Sequence, residues 1–110
     1  MQPLSILLAE DHAVVRDGLR ALLDSAGGFA VVGEATNGRD AVALALKVLP
    51  SAIVMDVSMP RLNGWEATRQ ILLDNPSARV LALSARSDDE QVARMLAAGA
   101  LGFVEKQSSG

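Results

Sequence analysis

Apolar runs too short to be helices recur along this chain, and an amphipathic helical pattern separates each from the next. Ser5 to Ala9, Phe29 to Ala35, Ala52 to Met55, Arg79 to Ser84 and Gly102 to Val104 read as buried strands, short and bounded by turn residues. Between the first two, Val14, Val15, Leu19, Leu22 and Leu23 recur at helical spacing over Ala13 to Ser25, and Gly27-Gly28 ends the helix. Asn37-Gly38 reads as a turn, Ala41 to Val48 as a second helix stopped by Pro50, and Gly64 to Asp74 as a third stopped by Asn75-Pro76. Asp88-Asp89-Glu90 places acids in the first turn of a fourth helix that ends at Gly99. Repeated β-α units imply a parallel sheet with right-handed crossovers and helices on both faces. No helix follows the fifth strand, and Gln107-Ser108-Ser109-Gly110 is polar and expected to fray. The chain therefore reads as one α/β domain, residues 1–110, that stops before a final helix.

Bulk properties narrow the function. A chain of 110 residues suits one domain with a modest core. Half of it is hydrophobic, which argues against disorder. The absence of Cys removes disulfides, a thiolate nucleophile and a Cys-based zinc site. No basic region leads into a long apolar stretch at Met1-Gln2-Pro3-Leu4-Ser5, and no run approaches the roughly 18 apolar residues of a membrane span. A cytoplasmic location is expected. With a net charge of −3 and scattered Lys and Arg, the chain lacks the basic footprint of a nucleic-acid binder.

Charged residues stand where the apolar runs stop. Asp56 ends the third run ahead of the loop Val57 to Gly64, Glu10-Asp11 close the first, and Lys106 follows the fifth. In an open α/β sheet the carboxyl ends of the strands are where ligands bind. Acids and a lysine gathered there suggest a cation site that handles phosphate. Taken singly, Asp56 could cap a turn, Asp11 could cap the first helix, Lys106 could be a surface lysine and Ser84 a turn hydroxyl. His12, beside a helix start, is expected to be solvated, and Trp65 to pack the third helix against the sheet or a partner.

From Leu4 to Lys106 the chain resembles the receiver (CheY-like) domain of bacterial two-component response regulators. The motifs are Glu10-Asp11, Asp56 with Met59-Pro60 and Asn63-Gly64 behind it, Ser84-Ala85, and Gly102-Phe103-Val104-Glu105-Lys106. The stretches Glu10 to Arg20 and Val31 to Ala35 are most similar to the NarL/FixJ type, whose receivers precede a helix-turn-helix DNA-binding domain that this sequence lacks. The resemblance implies a flavodoxin-like strand order 2-1-3-4-5. It implies phosphorylation of Asp56 by a sensor histidine kinase, with Mg²⁺ held by Asp11, Asp56, Glu10 through water and the backbone carbonyl of Ser58, and with Mn²⁺ as a substitute. Lys106 and Ser84 would contact the phosphoryl group, and Phe103 would be a rotamer-switching aromatic, with ordinary core as its alternative. Four departures stand out: Glu10 for the commoner Asp, Ser84 for Thr, Gln107 where many receivers have Pro, and the missing fifth helix.

The chemistry is consistent. An aspartate can attack phosphorus to give an acyl phosphate, but acceptor and donor are both anionic, so a hard cation and a lysine must neutralise charge first. The expected function is a phosphoacceptor switch that assists its own phosphorylation and dephosphorylation, rather than a turnover enzyme. An aspartate-nucleophile phosphohydrolase would usually need a second Asp where Ser58 stands. A phosphorylation-independent interaction module would have lost an acid or the lysine. An uncovered sheet face and a mean hydropathy of +0.27 lead us to expect self-association, with homodimerisation in the full regulator. DNA would be reached only through an output domain, and no membrane contact is expected.

Overall fold

The computed structural model describes residues 2–85 and 89–106. It is a sheet of five parallel strands in the order β2-β1-β3-β4-β5, with β1 at Leu4–Ala9, β2 at Phe29–Ala35, β3 at Ala52–Asp56, β4 at Val80–Ser84 and β5 at Gly102–Glu105. The helices are α1 at Ala13–Ala26, α2 at Gly38–Val48, α3 at Gly64–Asp74 and α4 at Asp89–Ala98. The strand order and every expected element are borne out, with boundaries moved by a few residues. The largest move is at α2, which begins at Gly38 because Asn37 caps it, its Oδ1 accepting the Asp40 N–H at 2.9 Å. Asp88 and the tail Gln107 to Gly110, read above as helix start and frayed end, lie outside the described residues.

Right-handed crossovers fix which helix covers which face. The chain moves one way from β1 to β2 and the other way from β2 onward, so α1 lies on the face opposite α2, α3 and α4. The three-helix face holds the main core: Leu7, Ala9, Ile53, Met55, Val80 and Ala82 from the strands meet Ala41, Ala45, Ala67, Ile71, Val92 and Met95 from the helices. On the other face α1 is the only helix among the described residues, and none of its residues is fully buried. Val15, Leu19 and Leu23 lean toward the sheet, while Val14 and Leu22 point to solvent, narrowing the stripe read from the sequence. Val104 on edge strand β5 stays half exposed.

Two glycines close the loop between β3 and α3. A Cβ on Gly64 would lie 2.1 Å from the Asp56 carbonyl oxygen, and one on Gly38 would lie 1.8 Å from that of Leu62. Side chains at these positions would push the loop off the sheet, so glycine is required by close approach rather than by dihedral freedom. The Gly64 N–H donates to the Val57 carbonyl at 3.2 Å, and Asn63 caps α3 by accepting the Glu66 N–H at 3.0 Å. Gly64→Ala is expected to destabilise the domain by about 1–3 kcal/mol, the usual cost of overpacking. A urea midpoint unchanged from the wild type would show that the loop can give way freely.

Candidate functional site

Strand register assembles the charged cluster. Side chains alternate between faces along each strand, and β1 pairs Leu8 with Val54 of β3 while β4 pairs Leu83 with Asp56 on one side and Val104 on the other. Glu10 stands two residues beyond Leu8, Asp56 two beyond Val54 and Lys106 two beyond Val104. A step of two returns to the same face, so residues far apart in sequence project side by side at the carboxyl end of the sheet. The Lys106 ammonium lies 3.0 Å from Asp56 Oδ2 and 2.8 Å from Glu10 Oε1. Its backbone N–H donates to the Ser84 carbonyl at 2.6 Å, which ties the end of β5 to the end of β4.

The two carboxylates are almost fully buried, whereas Asp11 lies at the surface. Asp56 Oδ1 accepts the Ser58 N–H at 3.3 Å, and Glu10 Oε2 accepts the His12 N–H at 3.0 Å. Glu10, Asp11, His12 and Asp56 each place one potential ligand atom within 4.8 Å of the others. Asp11, His12, Asp56, Ser58, Met59, Pro60, Ala85 and Lys106 line an open cleft. The structure thus gathers Glu10, Asp11, Asp56, Ser58 and Lys106, and puts Ser84, buried, at the end of neighbouring β4. Phe103 is 52% exposed, so it is not ordinary core. Trp65 is part-buried against the core, with the Arg94 guanidinium 5.3 Å from its ring centre.

Two features were not read from the sequence. His12 was expected to be solvated. It is 66% exposed, yet its ring Nδ1 lies 3.0 Å from Glu10 Oε2 and 3.3 Å from Asp11 Oδ1. It is also the cap residue of α1, with no side-chain cap bond, so Asp11 does not serve as the cap. Arg16, one turn into α1, donates to the Glu10 carbonyl at 2.9 Å and to Glu34 Oε1 at 2.9 Å, and Arg20 also pairs with Glu34. This strap joins α1, β2 and the acidic loop. Its only sequence signal was the spacing of Arg16 and Arg20 by one helical turn.

Burial is the main force on Asp56, pushing its pKa up to about 6. The neighbouring Glu10 carboxylate adds to this and Lys106 opposes it. Burial also works against charge on Glu10, but Lys106, the His12 N–H and the Asp56 carboxyl outweigh it and hold Glu10 down at about 2. Lys106 stays charged, because its two carboxylate partners outweigh its own burial and raise its pKa. Three carboxylates thus face one ammonium, a donor set of hard oxygens with excess negative charge, which fits a divalent cation such as Mg²⁺.

The chain matches the response regulator receiver domain family over residues 6–110. It belongs to that family. It is 37% identical over 101 residues to the response regulator GacA of Pseudomonas viridiflava, covering 92% of this chain and 47% of GacA. It is 38% identical over 103 residues to the transcriptional regulatory protein LiaR of Bacillus subtilis (strain 168), covering 94% of this chain and 49% of LiaR. The chain thus spans about half the length of these relatives. Among solved structures, the signal receiver domain of the putative response regulator NarL from Mycobacterium tuberculosis superposes with a TM-score of 0.91 at 30% identity, over 99% of this chain and 88% of that one. A LuxR-family two-component response regulator from Aurantimonas sp. SI85-9A1 gives 0.89 at 35% identity, over 98% and 77%. The receiver is of the NarL/FixJ type, as its motifs implied. Receivers are signalling domains rather than turnover enzymes. No helix among the described residues is long and apolar enough to cross a membrane.

The raised pKa of Asp56 sets a pH dependence of stability. Between 3.8 and about 6 the folded receiver keeps a proton on Asp56 that the unfolded chain has lost, so this group's contribution to stability falls as pH rises through that window. Asp56→Asn removes the penalty. In metal-free buffer the variant should exceed the wild type in Tm by more at pH 7.5 than at pH 4. Equal gains at the two pH values would show that the buried charge is not the cause.

Proposed function

We propose that this receiver is the phosphoacceptor switch of a two-component transcriptional regulator and that Asp56 takes the phosphoryl group from a sensor histidine kinase. The observation that carries the proposal is one buried cluster at the sheet end, in which Asp56 and Glu10 share Lys106 and lie beside Asp11. A carboxylate oxygen of Asp56 attacks phosphorus, an O–P bond forms as the donor's P–N bond breaks, and the leaving imidazole keeps the bonding pair and is protonated. Asp11, Asp56 and the Ser58 carbonyl would hold Mg²⁺ or Mn²⁺ directly, and Glu10 through water. The bound ion supplies charge neutralisation between the two anions. Lys106 exchanges an Asp56 oxygen for a phosphoryl oxygen after transfer, keeping an anionic partner throughout. Ser84 Oγ donates to another phosphoryl oxygen. As Ser84 moves toward it, Phe103 turns inward from its exposed position and remodels the face of α4 and β5.

The comparison with LiaR supports a transcriptional output, reached through a DNA-binding domain elsewhere in the full-length regulator. The exposed apolar side chains of α1 and β5, Val14, Leu22 and Val104, support self-association. A histidine-kinase donor of this kind would require the receiver to be cytoplasmic. A Ser at position 58 argues against the phosphohydrolase reading, and retention of Lys106 and all three acids argues against a phosphorylation-independent module.

Acetyl phosphate with Mg²⁺ should add one phosphoryl group to the wild type and none to Asp56→Asn, read by intact mass and peptide mapping. Label on Ser84 or His12, or persistence in Asp56→Asn, would refute the assignment. Amide shifts on adding beryllofluoride should extend to Phe103, and Ser84→Ala should shrink them; wild-type shifts confined to residues around Asp56 would refute the switch. Light scattering of the 110-residue chain should show an average mass above the 11.5 kDa monomer that rises with concentration, and a constant monomer would refute self-association.

A further inference from the structure

We propose that His12 is a nitrogen ligand of the acidic cluster and makes it selective for transition-metal ions such as Co²⁺ or Ni²⁺ over Mg²⁺. This rests on the cation site proposed above and adds a donor that an oxygen-only site lacks. The argument starts from placement. His12 is the cap residue of α1, but its side chain makes no cap bond, and its ring is turned back toward the acids. Nδ1 sits 3.0 Å from Glu10 Oε2 and 3.3 Å from Asp11 Oδ1. Ligand bonds of about 2.1 Å at right angles place neighbouring donors about 3.0 Å apart, so the spacing of Nδ1 from Asp11 Oδ1 already suits two adjacent ligands of one ion. Asp56 contributes a fourth atom within the same 4.8 Å group.

Charge and access point the same way. Lys106 takes Glu10 Oε1 and Asp56 Oδ2, while Glu10 Oε2 is turned to the His12 side. The Glu10 side chain is 1% exposed and fixed by the His12 N–H, whereas the His12 ring is 66% exposed and borders the open cleft. Glu10 is therefore a rigid anchor that orients the ring, and the ring is reachable by an ion in the cleft. Mg²⁺ takes oxygen ligands and sheds water reluctantly, so an imidazole adds little for it. Cobalt and nickel follow the opposite preference, binding such mixed sites more tightly, and imidazole suits them. The competing possibility is that Nδ1–H only donates a hydrogen bond to Glu10 and turns away when a cation enters.

The chain contains one histidine, so an imidazole signal from the metal-loaded protein comes from His12. Untagged protein loaded with Co²⁺ should show hyperfine-shifted imidazole ring protons by NMR. Calorimetric titrations should show Co²⁺ binding more tightly than Mg²⁺, and His12→Gln should lower the ratio of Co²⁺ to Mg²⁺ affinity by at least about tenfold, the low end of what disturbing metal ligation costs. Ring protons without contact shifts, or a ratio changed less than about twofold, would reduce His12 to a hydrogen-bond partner. Mg²⁺-dependent phosphorylation of the wild type by acetyl phosphate separates the two levels. If it persists while His12 fails these tests, only the nitrogen ligand is lost. A wild type that takes up neither metal nor phosphoryl group would overturn the cation site as well.

Discussion

One ammonium group set against two buried carboxylates governs this domain. Lys106 closes distances of 2.8 and 3.0 Å to Glu10 and Asp56 in a place from which water is largely excluded. Burying a charge is costly unless it is paired, and one lysine cannot pair fully with two acids and a third nearby. The system answers in the only ways open to it. Asp56 holds its proton up to about pH 6, Glu10 stays ionised, and the remaining negative charge is what a cation would neutralise.

The geometry behind that interaction is carried by backbone. Asp56 and the last pairs of β1, β4 and β5 lie in one parallel ladder, so the cluster is as rigid as the sheet. Loops supply the rest under tight steric limits. Gly64 and Gly38 allow the segment after Asp56 to fold down onto strand and helix, and the Arg16–Glu34 strap holds the acidic loop by its Glu10 carbonyl. The thinly covered α1 face contrasts with the dense three-helix face. Chemistry and main core are therefore not equally protected: the charged side chains follow the register of the α1-facing rows, while most fully buried apolar volume lies on the opposite side.

The sequence by itself determined the elements and their kind. Short apolar runs ended by Gly, Pro and Asn leave little choice but strands alternating with helices, and handedness then dictates the layers. It also singled out Glu10, Asp11, Asp56 and Lys106, because acids and a lysine stand at the ends of apolar runs, and the structure brings these four together. Boundaries were less legible where one residue type serves two ends: Asn37-Gly38 looked like a turn, but Asn37 is a helix cap. Only the tertiary structure decided which groups share a partner. Glu10 and Lys106 are 96 positions apart, and their 2.8 Å contact depends on register across three strand pairings, a quantity no local pattern encodes. The same holds for His12, whose ring orientation is set by where α1 begins relative to Glu10, and for Phe103, whose exposure depends on what α4 and β5 leave uncovered. Side-chain type is local information, whereas burial and distance between strands belong to the assembled sheet.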